Sequence, residues 1–97
     1  MTDYRIEIIS NQSVEDDITE LIEEAIPEIQ YTVMPVVHGK GGHSKKLGTT
    51  TWPEQNFLMF SYVSEEEAKK IKQLVELVKL KFPSEGISFF ACKQADL

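Results

Sequence analysis

The sequence predicts an α+β domain in which strands and helices follow the order β-α-β-β-α-β. Four short segments are rich in β-branched and aromatic residues, and two longer segments repeat apolar residues at helical spacing. This is the ferredoxin-like arrangement, a four-stranded antiparallel sheet with two helices on one face. A chain of 97 residues has room for one core, so we expect a single domain over residues 1–97.

The first strand is predicted over residues 4–9, where alternate side chains are apolar. A helix follows, with Ser13 as its candidate N-cap and Asp16 completing a capping-box-like arrangement. Proline disrupts a helix interior, so Pro27 ends this helix. Its apolar face consists of Val14, Ile18, Leu21, Ile22, Ala25 and Ile26.

The three remaining strands are predicted over residues 31–37, 57–63 and 87–92. Pro35 interrupts the second strand and indicates a sheet edge, a bulge or a local break. The third strand is an almost continuous apolar run, which is typical of a central strand covered on both sides. The residues from 93 to 97 are expected to form a frayed tail.

The second helix is predicted between the third and fourth strands. Ser64 and Glu67 have the spacing of a capping box, and Pro83 ends the helix. One face carries Ala68, Ile71, Val75, Val78 and Phe82, and it is widened by Leu74, Leu77 and Leu80. Two interpretations remain open for the widened stripe. It is a broad core face, or some of these leucines contact a neighbouring subunit.

The predicted arrangement leaves one face of the sheet without cover. Both helices lie on the same face, yet the first three strands each place apolar side chains on more than one side. A whole apolar face in water is unfavourable, so the sequence predicts self-association.

Composition restricts the class of partner and the compartment. Ten basic and sixteen acidic residues give a net charge of −6, which argues against a nucleic-acid partner. The single cysteine, Cys92, is expected to be a small buried residue of a strand, and a lone thiol fits a reducing cytoplasm. Neither a signal-peptide pattern nor an apolar stretch of membrane-spanning length is found, so we expect a cytoplasmic protein without direct membrane insertion.

A long loop, residues 38–55, separates the second and third strands and is the expected site of function. Between residues 38 and 56 lie three lysines and one glutamate, so the segment is cationic on an acidic body and would attract a small anion. The alternative is a solvated lysine cluster that keeps the loop soluble. The candidate ligand-binding residues are Gly39, Lys40, Gly41, His43, Lys45 and Lys46.

Metal binding and catalysis are less well supported. His38 and His43 are candidate metal ligands, but zinc needs three or four, so Glu54, Cys92 or a second subunit would have to contribute. No serine, histidine and aspartate trio has a helpful context, and Arg5 is the only arginine. We therefore expect a protein without catalytic residues, and the sequence does not identify a cofactor.

A family resemblance rests on the second strand and its exit into the loop. Residues 37–41, the long loop, strand 57–63 and the closing segment 86–90 resemble the PII signal-transduction superfamily in its divergent PII-like branch, the nitrogen regulatory protein-like group. Gly39 and Gly41 match the Gly-x-Gly from which that family's T-loop leaves the second strand. The resemblance spans residues 4–92.

The resemblance implies a homotrimer with its sheets facing inward. A small ligand, an adenine nucleotide or another anion, would occupy clefts between subunits. The loop 38–55 would then signal to a partner protein such as a transporter or an enzyme. The related CutA family shares the trimer and is associated with metal ions, so the alternative is a CutA-like metal-ion-binding protein that uses the loop histidines His38 and His43.

Overall fold

A computed structural model describes residues 2–39 and 55–97 of the chain. The predicted order of elements is confirmed, and a 3₁₀ turn, Gln12–Val14, precedes the first helix. The elements are β1 (Tyr4–Asn11), α1 (Glu15–Ala25), β2 (Thr32–Val37), β3 (Asn56–Val63), α2 (Glu65–Lys81) and β4 (Ile87–Lys93).

The strands form one antiparallel sheet in the order β2-β3-β1-β4, so β1 and β3 are central. The edge position predicted from Pro35 is confirmed. Pro35 lies in β2, at the sheet edge, and the register with β3 shifts between Met34 and Val37. Proline has no amide proton for a ladder hydrogen bond, and an edge strand with a bulge accommodates this loss.

Both helices pack against one face of the sheet and bury its apolar side chains there. The strands contribute Ile6, Ile8, Phe57 and Met59, each completely buried. Burying a side chain of this size stabilises the fold by about 1.5–3 kcal/mol. The helices complete this core with Val14, Ile18, Ile22, Ala68, Ile71, Leu74, Val75 and Val78.

The start of α1 differs from the prediction. Ser13 is not its N-cap, because the chain first makes the 3₁₀ turn, and Val14 occupies the cap position without a side-chain hydrogen bond. Asn11 caps that turn instead, since its Oδ1 accepts a hydrogen bond from the Ser13 backbone N–H at 2.8 Å. Ala25, predicted to lie on the apolar face, is exposed at the C-terminal end of α1.

The capping box of α2 is confirmed. The Ser64 backbone N–H donates to Glu67 Oε1 at 2.9 Å, and the Glu67 backbone N–H donates to Ser64 Oγ at 3.1 Å. The three leucines that widen the apolar stripe of α2 differ in burial. Leu74 is in the core, whereas Leu77 is 57% exposed and Leu80 is 78% exposed. The broad-core interpretation therefore applies to Leu74 alone.

Two expectations about burial are wrong for the single chain. Cys92 is exposed, because it lies on the edge strand β4 and faces away from the helices. β3 is central, but α1 and α2 cover only one of its faces, and Tyr62 on the other face is 47% exposed. At the end of β4, the Gln94 backbone N–H donates to the Asp3 carbonyl oxygen at 2.8 Å.

Candidate functional site

The candidate site lies at one end of the sheet, where the chain leaves β2 and returns to β3. We call residues 37–39 and 55–56 the loop roots. Val37 and Asn56 are register partners, so the two roots lie side by side. A Cβ added at Gly39 would lie 3.8 Å from Asn56 Nδ2, an ordinary contact, and the φ of Gly39 is not positive. The local backbone therefore does not require glycine at this position.

Gln12 connects the returning root to β2, just before the departing root. Its backbone N–H donates to the Gln55 carbonyl oxygen at 2.9 Å, and its side-chain Nε2 donates to the carbonyl oxygen of Pro35. One residue at the end of β1 thus holds the departing and the returning strand together. Sequence reasoning missed this role, because the segment 11–13 indicated only the end of the first strand and a helix cap at Ser13.

The polar groups at this end of the sheet are mainly uncharged. Asn11 pairs with Asn56 across the β1–β3 ladder, and His38 is exposed beside them. Neither the roots nor residues 10–13 contain a carboxylate, although the chain has sixteen. An anion that approaches the roots therefore meets amide groups and a histidine rather than acidic side chains from these segments.

Gly39 is the only predicted ligand-binding residue in the described part of the chain, and it lies at the root as expected. The other five lie outside the described residues: Lys40, Gly41, His43, Lys45 and Lys46. Their role in ligand binding stays a prediction.

The metal hypothesis gains no further ligand from the described residues. His38 is exposed at the root, whereas His43 and Glu54 lie outside the described residues. Within 2–39 and 55–97, no three histidine, cysteine, aspartate or glutamate side chains form a group that could hold a metal ion. Cys92 pairs with Arg5 near the opposite end of β1, about 20 Å from the roots at strand spacing, so it is too distant to join His38 within one chain.

The face of the sheet opposite the helices is partly apolar, and we call it the open sheet face. Tyr62 and Phe90 are about half exposed on it, at 47% and 53%, and Met34 is similarly exposed. Its outward side chains are Arg5, Glu7, Ile9, Met34, Leu58, Phe60, Tyr62, Phe90 and Cys92.

An ion pair lies on this face near the start of β1. Arg5 Nε donates to Glu7 Oε2 at 2.8 Å, and Arg5 Nη1 donates to the Tyr62 hydroxyl at 2.8 Å. The guanidinium carbon lies 4.1 Å from the centre of the Phe60 ring, within the range of a cation–π contact. The hydrogen bond to Glu7 raises the pKa of Arg5. The only arginine of the chain is thus held by three neighbours on the open sheet face.

Comparison of the structure with solved structures shows the fold family. A PII-like signalling protein of Thermus thermophilus is 22% identical, with a TM-score of 0.66, and the alignment covers 95% of this chain and 86% of that protein. CPII, a nitrogen regulatory PII-like protein of Thiomonas intermedia K12 bound to ADP, AMP and bicarbonate, is 17% identical, with a TM-score of 0.68. That alignment covers 98% of this chain and 94% of CPII.

The chain has the fold of the PII-like signalling proteins. A second structure of CPII, bound to ADP and bicarbonate, agrees, with a TM-score of 0.63, 20% identity and coverage of 97% and 89% of the two chains. The resemblance inferred from the Gly-x-Gly exit and the order of elements is therefore confirmed at the level of the fold. No protein-family model and no curated protein matches the sequence. In the described part of the chain, neither helix has the length and apolar character needed to cross a membrane.

Proposed function

We propose that this chain is a non-enzymatic PII-like regulatory protein that binds a small anionic ligand and signals to a partner protein. The observation that carries the proposal is the alignment of nearly the whole chain with CPII, whose structures hold ADP, AMP and bicarbonate. An adenine nucleotide is therefore the first ligand to test. The whole chain, residues 1–97, acts as one domain in this proposal.

The proposed active form is a homotrimer whose open sheet faces point inward. Half-exposed Met34, Tyr62 and Phe90 support this, because their burial between subunits removes apolar surface from water. Arg5 opposes burial less than a free arginine would, since two of its N–H groups already donate to Glu7 and Tyr62 in the single chain. A charge that is paired before association costs less to bury than a free one.

The ligand lies at a cleft between subunits, beside the loop roots. Gly39 and the loop residues Lys40, Gly41, His43, Lys45 and Lys46 supply backbone N–H groups and positive charge to an anion. Ligand binding changes the conformation of the loop 38–55, and this change alters its affinity for a partner such as a transporter or an enzyme. Gln12 matters here because it hydrogen-bonds to Gln55, at the returning end of the loop, and to Pro35, in β2 shortly before the loop begins.

Two measurements on the purified chain test the proposal separately. Light scattering at micromolar concentration is expected to give the mass of a trimer, and a stable monomer would exclude clefts between subunits. A thermal-shift series with ADP, AMP and bicarbonate is expected to raise Tm. Ligand at a hundred times its Kd adds about 2.7 kcal/mol of stability, enough for a shift of several degrees.

Paired lysine variants locate the ligand. Lys45→Ala with Lys46→Ala is expected to reduce the thermal shift, while the control, Lys69→Ala with Lys70→Ala on α2, keeps it. Equal shifts in both variants would place the ligand away from the loop. The absence of any shift with the three ligands would leave the fold assignment intact but contradict the proposed ligand class.

A further inference from the structure

A groove runs between α1 and α2 on the side of the molecule that faces away from the sheet. One cleft of ≈ 590 Å³ lies between the end of α1, at Ala25, and the start of α2, at Glu66. A second cleft of ≈ 350 Å³ lies between the start of α1, at Asp17, and the end of α2, at Lys81. These linings show that the helices are antiparallel and that one cleft lies at each end of the helix pair.

The α2 side of the second cleft carries one exposed leucine and one lysine. Leu77, 57% exposed, and Lys81 line this cleft, and Leu80, 78% exposed, lies beside it, three residues after Leu77 on the same side of the helix. The other apolar residues of this lining are the buried Val78 and the partly buried Leu21 and Phe82. Core packing therefore does not account for Leu77 and Leu80, although the periodicity of α2 includes both.

The α1 side of the groove is acidic. Asp17, Glu20 and Glu24 line the second cleft. Between residues 14 and 28 the chain has seven acids and no base. The described ion pairs, Arg5–Glu7 and Glu65–Lys69, leave these three carboxylates without a lysine or arginine partner among residues 2–39 and 55–97.

We propose that this groove binds a basic amphipathic helix of a partner protein. Its apolar side chains would contact Leu77 and Leu80, while its lysines and arginines would face the acids of α1, so the two surfaces match in both polarity and charge. The second cleft borders α1 from Asp17 to Glu24, about 12 Å at helical rise, so it accommodates about two turns of a partner helix.

A second copy of the chain fits the groove less well than a basic partner. The chain has a net charge of −6, and a symmetric contact between two such grooves would bring acidic α1 helices together. The groove also lies on the opposite side of the sheet from the open sheet face and does not include the loop roots. This inference therefore stands independently of the proposed trimer and ligand.

The test uses the full chain and a labelled 14-residue peptide of leucine and lysine with amphipathic helical spacing. Binding is measured by fluorescence anisotropy at 50 and 150 mM salt. Leu77→Ser with Leu80→Ser, and separately Glu20→Gln with Glu24→Gln, are each expected to weaken binding about tenfold, as loss of central contacts does. Leu97→Ser and Asp16→Asn are the matched controls, because they change an exposed leucine and an acid outside the groove.

Three outcomes would overturn the proposal. One is equal weakening by groove and control variants, and another is equal binding of a scrambled peptide of the same composition. The third is a molecular mass that falls when Leu77 and Leu80 are changed, because a second copy would then occupy the groove.

Amide chemical shifts measured by NMR give an independent check, since peptide binding should perturb α1 and α2 rather than the open sheet face. Circular dichroism verifies that each variant is folded.

Discussion

The two faces of the sheet differ in what covers them, although both carry apolar side chains. On the helix-covered face, Ile6 and Ile8 are completely buried by α1 and α2. On the open sheet face, Phe60 lies under Arg5, and Tyr62 and Phe90 are half exposed. The chain completes one core by itself and leaves the apolar side chains of the other face partly exposed. In the proposed trimer, stability and association would depend on opposite faces of the same strands.

The neighbours Ile8 and Ile9 give the largest expected difference between the faces. Ile8→Ala opens a cavity in the core and is expected to lower the free energy of unfolding by about 2–5 kcal/mol. Ile9→Ala, on the open sheet face, is expected to cost less when the chain is a monomer, because Ile9 is only partly buried. Urea denaturation measures the free energy of unfolding of both variants. Equal losses of stability in the dilute monomer would show that the two faces contribute equally to the stability of the single chain.

Phe90→Glu tests what covers the open sheet face. A charge placed on this half-exposed side chain would be buried unpaired in an association interface, so the variant is expected to be a folded monomer. The control is Leu80→Glu, an equivalent change of an exposed residue on α2, which should keep the mass of the unaltered protein. Light scattering measures the molecular mass of both variants. An unchanged mass for Phe90→Glu would show that the open sheet face is not the association interface.

A smaller effect is expected at the loop roots. Gln12→Ala removes the side-chain hydrogen bond to Pro35 and is expected to cost about 0.5–1.5 kcal/mol of stability. Gln94→Ala removes a similar bond, to the carbonyl oxygen of Thr2, at the other end of the sheet. Denaturation should show similar losses for both, while only Gln12→Ala should weaken the ligand-induced thermal shift. Equal shifts would show that holding the roots together is irrelevant to binding.

The smallest effect concerns the pKa of Glu65. The Tyr4 hydroxyl donates to Glu65 Oε1 at 3.0 Å, and this bond, followed by the charge of Lys69, lowers the pKa of Glu65 below its ordinary 4.5. A lowered folded-state pKa contributes stability above pH 4.5, and the contribution is lost as the pH falls through the folded value. In Tyr4→Phe, NMR titration is expected to show the Glu65 pKa rising. Tyr31→Phe serves as control and should leave it unchanged, because the Tyr31 hydroxyl donates to Glu23 instead.

Local sequence signals predicted the helices and strands well, but not the hydrogen bonds between residues that are distant in the sequence. Ser64 and Glu67 are three residues apart, so the capping box could be identified without knowing the fold. Ser13 was predicted to cap α1, but it lies inside a 3₁₀ turn that Asn11 caps. Helical periodicity does not reveal such a turn. At the candidate site, the composition of the loop predicted Gly39 and His38, and their role in binding stays a prediction. Gln12 was not found, because its partners lie 23 and 43 residues further along the chain.

The sequence by itself determined the order of elements, an irregularity in the strand that contains Pro35 and the presence of one cationic segment on an acidic chain. These features depend on residues within a few positions of one another. Only the tertiary structure decided that Leu77 and Leu80 remain exposed beside an acidic helix and that Cys92 lies on an uncovered edge strand. Exposure depends on which distant elements pack together, and the periodicity of one helix or strand does not contain that information.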